Sequence, residues 1–324
     1  MIHSFRFLMI AAVVCFGAGF MFAEGEQDEA KALEKIKTYG GRSGKDLRYP
    51  EQGKIFVSFG GISRFGDEDL SLLNSLKNVA TLTLSGTQVT DAGLKYVGKH
   101  KSLTSLNLNG TKITAAGLKE LKHCENLEDL SLARTLLKES NWSDLKELKH
   151  LSSLILNDSQ MTDSSLAGIG QFKKLTMLTL KNNEISDLGL KELQELKDLT
   201  QLDLHGTKIT DAGLVELRHL RDLKMLWLGE SQITGKSLEE LKALNRLNAL
   251  FLNATQITDA QLSHVSLLTS LEDLRLTNTD ITDTGLKELS KLKNLKLLNL
   301  RNTKVTDVGV QALKESLPHL AIIR

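Results

Sequence analysis

The sequence contains few cysteine and aromatic residues, and its basic and acidic residues are nearly equal in number. Of its 324 residues only two are cysteine and 5% are aromatic, and 41 basic residues stand against 40 acidic ones. Cys15 lies in an N-terminal apolar run and only Cys124 lies outside it, so a processed chain cannot form an internal disulfide. The balanced charge gives no general electrostatic reason to bind nucleic acid or an acidic membrane, because such binding relies on clustered Lys and Arg.

The chain is rich in leucine at a fixed spacing of 24 residues. The clearest copy of the pattern is residues 199–222, LTQLDLHGTKITDAGLVELRHLRD. The pattern begins at Val79, Leu103, Leu127, Leu151, Leu175, Leu199, Leu223, Leu247, Leu271 and Leu295. We expect ten repeats over residues 79–318 and a terminal half-repeat at 319–324. A fixed period of this length predicts a solenoid, because a unit this short buries its apolar face only by stacking on its neighbours.

Each unit contains two patterns of apolar residues. Leu202 and Leu204 alternate with polar residues, which predicts a short, half-buried strand. Leu214 and Leu217 follow at helical spacing. Stacked units would therefore form a parallel sheet on the concave side and short helices on the convex side, because returning the chain by a helix makes the outer surface wider.

Three further columns belong to this α/β scaffold. Thr207 and its equivalents can hydrogen-bond the adjacent turn and predict a buried ladder. Gly213 lets the short helix approach the strand layer. The third column consists of acidic residues before the helices: Asp91, Asp163, Asp187, Asp211, Asp259, Asp283 and Asp307. We interpret the aspartates as helix caps, with a calcium ladder as the weaker alternative.

These residues resemble the leucine-rich repeat, over about Ile55 to Arg324. The form LxxLxLxxTxITDxGLxxLxxLxx is similar to that of secreted bacterial leucine-rich-repeat proteins. The spacing Cys124-x-x-Leu127 also resembles the cysteine-containing repeats of F-box substrate adaptors. The resemblance implies a curved solenoid, and because this scaffold serves many partners it does not by itself fix a function.

The N-terminal part of the chain differs from the repeats. Residues 1–23 have a weakly basic start and a continuous apolar run, which predicts an export signal, with an uncleaved membrane anchor as the alternative. We expect residues 24–54 to form a helix and a linker or short hairpin, and residues 55–78 a degenerate capping repeat.

The predicted strands show which side chains face outward on the concave side. Most are small and polar, but Trp227 and Phe251 fall side by side on adjacent strands. Around them we expect an exposed cluster with a charged rim, which is typical of a binding site. The predicted protein-binding patch consists of Met177, Asp203, His205, Met225, Trp227, Phe251 and Arg275. The alternative is an aromatic pair that only stabilises the sheet by cross-strand contact.

Nothing in the pattern predicts catalysis. The sequence has no HExxH or CxxC spacing for a metal and no GxGxxG or GxxxxGK loop for phosphate. His100 and Cys124 occupy the same position in successive repeats, and we interpret them as neighbours on the outer surface. A convex turn offers neither the cleft nor the orienting group that a Cys–His nucleophile needs. We therefore expect no enzyme activity, no catalytic residues, no metal and no cofactor.

The sequence thus predicts a non-enzymatic binding scaffold, exported from a bacterial cell and secreted, periplasmic or held at the envelope. Its partner would be a protein or peptide, with a glycan as the alternative, and a membrane would be contacted only through an uncleaved N-terminal segment. Two other functions remain open. One is an F-box-type adaptor of a ubiquitin ligase. The other is a structural envelope component that self-associates through the apolar C-terminal edge at residues 320–323.

Overall fold

A computed structural model describes residues 24–324, so the predicted export segment lies outside the described residues. Thirteen strands form one sheet, in which they lie side by side in chain order. The first two, β1 (Arg42–Lys45) and β2 (Ile55–Ser58), form an antiparallel hairpin, and every later neighbour is parallel. The remaining strands are β3 (Val79–Thr83), β4 (Ser105–Asn107), β5 (Asp129–Ser131), β6 (Ser153–Ile155), β7 (Met177–Thr179), β8 (Gln201–Asp203), β9 (Met225–Trp227), β10 (Ala249–Phe251), β11 (Asp273–Arg275), β12 (Leu297–Asn299) and β13 (Ala321–Ile323).

From β2 onward, helical segments return the chain from each strand to the next. The α-helices are α1 (Glu24–Tyr39), α2 (Asp91–Val97), α3 (Leu214–Leu217), α4 (Leu262–Val265), α5 (Asp283–Leu289) and α6 (Asp307–Ser316). The 3₁₀ segments are Asp69–Ser75, Ala115–His123, Trp142–Leu145, Asp163–Leu166, Ile169–Gln171, Gly189–Leu193, Asp211–Gly213, Leu238–Ala243 and Asp259–Gln261. Within the repeats most of these segments are one or two turns long, because each has only a few residues before the next strand begins.

The leucines of the repeats form one continuous core between the sheet and the helical layer. Leu202 on β8, Leu204 just after it, and Leu214 and Leu217 on α3 are all fully buried, and most of their equivalents in other repeats are buried in the same way. The predicted α/β solenoid, with a parallel sheet on one side and short helices on the other, is therefore confirmed. Within residues 24–324, no helix has the length and apolar character needed to cross a membrane.

The column that contains Thr207 is buried along most of the solenoid. The Thr207 hydroxyl donates to the carbonyl of Leu204 at 2.6 Å, which closes the turn at the end of the strand. Asn183 occupies the same position but reaches further. Its amide donates to Leu180 of its own turn and to Leu156 of the preceding repeat, both at 2.8 Å. In this ladder Thr207 closes the turn of its own repeat, whereas Asn183 also links its repeat to the preceding one.

The interpretation of the aspartate column as helix caps is wrong. The threonine caps the helix: Thr210 accepts a hydrogen bond from the amide of Ala212 at 3.2 Å. The aspartate binds the following repeat. Asp187 accepts from the amide of Thr210 at 2.9 Å and from its hydroxyl at 2.6 Å. The same arrangement joins Asp67 to Thr90, Asp91 to Thr114, Asp163 to Ser186, Asp211 to Thr234, Asp259 to Thr282 and Asp283 to Thr306.

This clamp also explains the glycine column. A β-carbon at Gly213 would collide with the carboxylate of Asp187 in the preceding repeat and would lie 3.0 Å from the side chain of Leu190. The glycine therefore admits the neighbouring repeat's aspartate and leucine, whereas the sequence pattern had indicated an approach to the strand layer.

The prediction that His100 and Cys124 lie on the outer surface is also wrong. Cys124 is fully buried and His100 is 9% exposed, in the column that Leu148, Phe172 and Leu196 fill in later repeats. Burial raises the pKa of Cys124 to about 12, so the thiol stays protonated and cannot act as a nucleophile near neutral pH. Both residues fill core positions that later repeats give to larger apolar side chains.

Candidate functional site

The first strands of the concave face are partly covered by the chain itself. The loop between β1 and β2, residues 46–54, lies over them. Arg48 pairs with Asp129 on β5 at 3.1 Å and also contacts Thr81 on β3 and the buried Asp46. Burial disfavours ionisation of Asp46, but hydrogen bonds from Thr81 and Arg48 outweigh it and hold its pKa below the ordinary value. This part of the face therefore carries a structural cover held by charge-assisted contacts.

Further along the sheet, the registers bring together most of the predicted patch. Asp203, Trp227, Phe251 and Arg275 are aligned on β8, β9, β10 and β11, each directly opposite the next. The strands of such a sheet lie roughly 4.8 Å apart, so these four side chains form a continuous row about 15 Å long.

The centre of this row is a stack of three side chains. The rings of Trp227 and Phe251 have centroids 4.9 Å apart and planes inclined by 27°. The guanidinium carbon of Arg275 lies 4.6 Å from the Phe251 centroid, on the side of the next strand. Arg275 is fixed there by Asp273, whose carboxylate it meets at 3.0 Å. We call these three residues, Trp227, Phe251 and Arg275, the aromatic stack.

The stack corrects one expectation about the patch. Phe251 is not exposed: it retains 2% of its accessible surface, because Trp227 and Arg275 lie on either side of it. Trp227 remains partly exposed, as does Arg275. Phe251 therefore lies beneath the surface that the other two present, and the aromatic pair makes the cross-strand contact that the alternative interpretation describes.

Asp203 and His205 border the open end of the stack. Asp203 accepts the backbone amide of His205 at 2.9 Å, which shapes the turn after β8. Burial raises the pKa of Asp203, while that amide and the positive charges of His205 and Lys181 act in the opposite direction. The His205 ring lies over Gly229, where a β-carbon would come within 2.8 Å of its Nδ1, and its Nε2 is 3.4 Å from the Glu230 carboxylate.

The two methionines occupy different places. Met225 precedes Trp227 by two residues on β9 and is partly exposed beside it. Met177 is on β7 and is separated from Met225 by Gln201 on β8. Met177 instead contacts the Ser153 hydroxyl, with its sulfur 3.7 Å from that oxygen. Register thus places Met225 at the stack and Met177 one strand beyond Asp203.

Glu230 was not predicted as part of the patch, although the repeat pattern contains the signal for it. It follows Gly229 in a left-handed conformation with φ of 53°, which the equivalent residues, Asn278 among them, adopt in most other repeats. The backbone conformation is therefore ordinary for this turn. The signal is the acidic side chain itself, at a position that the two neighbouring repeats fill with Gly206 and Ala254.

The described residues show no arrangement for metal-dependent chemistry. Across residues 26–324, no three His, Cys, Asp or Glu side chains converge as a metal site would require. The aspartate column is occupied by hydrogen bonds between repeats, which accounts for those carboxylates without an ion. The best-developed feature of the concave face is therefore the aromatic stack with its acidic border.

Comparison with known proteins agrees with this architecture. The sequence profile described as "Leucine Rich repeat" matches residues 99–122, 196–217, 268–290 and 291–314. No match was found among curated proteins. Among solved structures, an internalin (inlF) from Listeria monocytogenes is 22% identical, with a TM-score of 0.53, over 83% of this chain and 86% of that one.

Two further structures belong to the same comparison. Internalin C2 from Listeria monocytogenes is 26% identical, with a TM-score of 0.49, over 64% of this chain and 84% of that one. The plant peptide hormone receptor RGFR1, solved in complex with RGF2, is 17% identical with a TM-score of 0.52, over 80% of this chain and 49% of that one. The profile matches four segments of the chain, and the sheet and core of the described residues have the leucine-rich-repeat solenoid fold.

Proposed function

We propose that the protein is a non-enzymatic scaffold that binds a protein or peptide on the part of its concave face centred on Trp227. The observation that carries this proposal is the aromatic stack. It presents a partly exposed Trp and an Arg on a face whose other outward residues are mostly small and polar. Trp and Arg are the residue types that most often dominate interface energies, and the buried Phe251 holds both in place before a partner arrives.

The covered beginning of the sheet also supports this location. The loop held by Arg48 lies over β3 to β5, so a partner reaches the later strands without displacing any of the chain. A protein of similar fold, the plant peptide hormone receptor RGFR1, was solved in complex with RGF2. The prevalence of Trp and Arg at the energetic centres of protein interfaces favours a protein or peptide as the partner.

Export from a bacterial cell is part of the same proposal. It rests on the apolar run in residues 1–23 and on the single cysteine, Cys124, in the remaining chain, which is a buried core residue. Cell fractionation and N-terminal sequencing test it. An N-terminus near residue 24 in the envelope or culture medium is expected, and a cytosolic protein with its N-terminus intact would contradict export.

The binding proposal is tested by capture followed by affinity measurement. The immobilised protein captures partners from the envelope and medium, and a purified partner is then titrated by calorimetry into wild type and Trp227→Ala. We expect the affinity of Trp227→Ala to fall by about 30-fold, the effect of losing roughly 2 kcal/mol at an interface hot spot. Thr83→Ala, in the equivalent outward position on β3, is the matched control and should bind like wild type. Equal affinities of wild type and Trp227→Ala would refute the location.

A further inference from the structure

The aromatic stack has one closed end and one open end. Arg275 closes the end on β11, where its guanidinium covers Phe251. At the other end, Phe251 stacks on one side of the Trp227 indole, which is partly exposed, and β8 with Asp203 lies on the opposite side. Within the described part of the chain, no Lys or Arg lies over the Trp227 ring, although six other cation–ring contacts are formed.

An unpaired carboxylate stands beside this open face. Asp203 is directly opposite Trp227 in the strand register. Its recorded hydrogen bond comes from the amide of His205, and neither Lys181 nor His205 forms an ion pair with it in residues 26–324. His205 is instead oriented toward Glu230. Asp273, also on the concave face, has its cation already, because Arg275 meets it at 3.0 Å.

A cation satisfies both features at once. The face of an indole attracts an ammonium or guanidinium group through the ring quadrupole, most strongly where water is excluded. A partly buried carboxylate is disfavoured in its charged form until an opposite charge approaches within about 4–6 Å. The chain uses this combination at the closed end, where one guanidinium lies against an aromatic ring and an aspartate simultaneously.

We propose that the open face of Trp227 and the carboxylate of Asp203 form a subsite for one Lys or Arg side chain of the protein partner. The bound cation would extend the stack by one member, in the order cation, Trp227, Phe251, Arg275. Glu230, whose carboxylate lies 3.4 Å from His205, adds a second negative charge to the same border. This inference rests on the proposed binding function and specifies the chemistry of the partner's central residue.

Two tryptophans make the subsite directly observable. Trp142 is fully buried and Trp227 is partly exposed, and the chain has no other tryptophan. The full-length protein is labelled with ¹⁵N, and the two indole N–H resonances are followed during titration with blocked tripeptides Gly-X-Gly. X is arginine, lysine, norleucine or glutamate. We expect a saturable shift of the Trp227 resonance with arginine and lysine, at least about five-fold weaker binding of norleucine, and a stationary Trp142 resonance.

The matched variants separate the carboxylate from general surface charge. Asp203→Asn keeps the oxygen that accepts the His205 amide and removes the charge, so arginine-peptide binding should weaken by about five-fold or more. Asp198→Asn, an exposed acid outside the concave face at the end of the preceding repeat, makes the same change in net charge and should bind like wild type. An unchanged resonance spectrum outside the concave face shows that both variants are folded.

Three outcomes would overturn the subsite: equal shifts with norleucine and arginine, unchanged binding to Asp203→Asn, or no saturable shift of Trp227 with either cationic peptide. Each is distinguishable from failure of the proposed function. Loss of partner affinity in Trp227→Ala together with an unchanged affinity in Asp203→Asn would keep the binding surface and reject the cation. Equal partner affinity in wild type and Trp227→Ala would reject the surface itself.

Discussion

Strands β3 to β5 and strands β8 to β11 are built on the same repeat, yet their concave faces differ. On β3 to β5 the outward side chains are Thr, Ser, Asn and Asp, and the loop held by Arg48 lies over them. On β8 to β11 the corresponding positions hold Asp203, Trp227, Phe251 and Arg275, and no loop of the described chain is recorded in contact with them. The inward leucines are buried in both regions.

The two regions show that one set of residues in the solenoid holds the repeats together, while another set determines which side chains the concave face presents. Core leucines, clamping aspartates and glycines recur because each repeat must fit the next one. Outward positions on the strands carry no such requirement, so they are free to differ between regions. On β3 to β5 the outward side chains contact the loop held by Arg48, and on β8 to β11 they form the aromatic stack.

The largest effect on folding should come from Phe251. Phe251→Ala removes a ring that is 2% exposed and leaves Trp227 and Arg275 without support, so we expect a loss of about 3 kcal/mol in the free energy of unfolding. Ile155→Ala, in the same row on β6 and partly exposed, should cost about 1 kcal/mol. Urea unfolding followed by circular dichroism measures both. Similar losses in the two variants would show that Phe251 has no special supporting role.

His100 should make the beginning of the solenoid sensitive to acid. Burial lowers the pKa of His100 in the folded protein, with Lys99 contributing in the same direction and a hydrogen bond with the Leu73 backbone opposing it. The unfolded chain therefore binds the proton more readily. Stability is unaffected above the unfolded value of about 6.5 and falls as the pH drops below it, by at most about 1.4 kcal/mol for each pH unit.

The variant His100→Leu tests this sign. Its core position is leucine in several later repeats, and the substitution should remove the loss of urea midpoint between pH 7 and pH 5. His150→Leu, at an exposed position, should retain the wild-type dependence. A midpoint of His100→Leu that falls between pH 7 and pH 5 as much as that of the wild type would contradict the role of His100.

The smallest effect should come from the loop cover. Arg48→Ala breaks the pairs with Asp129 and Asp46, but the Arg48 side chain is 42% exposed, so the expected loss of stability is at most about 1 kcal/mol. Amide hydrogen exchange should become faster in residues 46–54 while β8 to β11 stay unchanged. Lys45→Ala, an exposed lysine without a recorded ion pair, is the control. Faster exchange throughout the sheet would show that the cover stabilises the whole solenoid.

The sequence predicts the fold well because one physical rule is repeated many times. Each strand leucine stands 24 residues from its equivalent, so the assignment of strand positions in one repeat is checked by all the others. The same spacing places Trp227 beside Phe251 in the strand register. What the pattern cannot supply is how far a side chain lies over its neighbours. Phe251 points outward as its strand position requires, yet Trp227 and Arg275 bury it.

The other wrong predictions concern contacts between repeats, which the pattern within one repeat does not show. Within one repeat, an aspartate at the position of Asp187 is consistent with a helix cap. Its hydrogen-bond partner is Thr210, which lies in the next repeat. The cover depends on Arg48 meeting Asp129, 81 residues away, and no local pattern signals that pairing. His100 could have been placed from the sequence, because its equivalent in the third repeat is Leu148, a core leucine.

The most direct test of the difference between strands β3 to β5 and strands β8 to β11 is amide hydrogen exchange, measured with and without a captured partner at saturating concentration. Binding through the aromatic stack predicts slower exchange in residues 201–206, 225–230 and 249–254, and no change in residues 81–86 and 105–110. Slower exchange confined to the strands beneath the Arg48 loop, with β8 to β11 unchanged, would contradict the account.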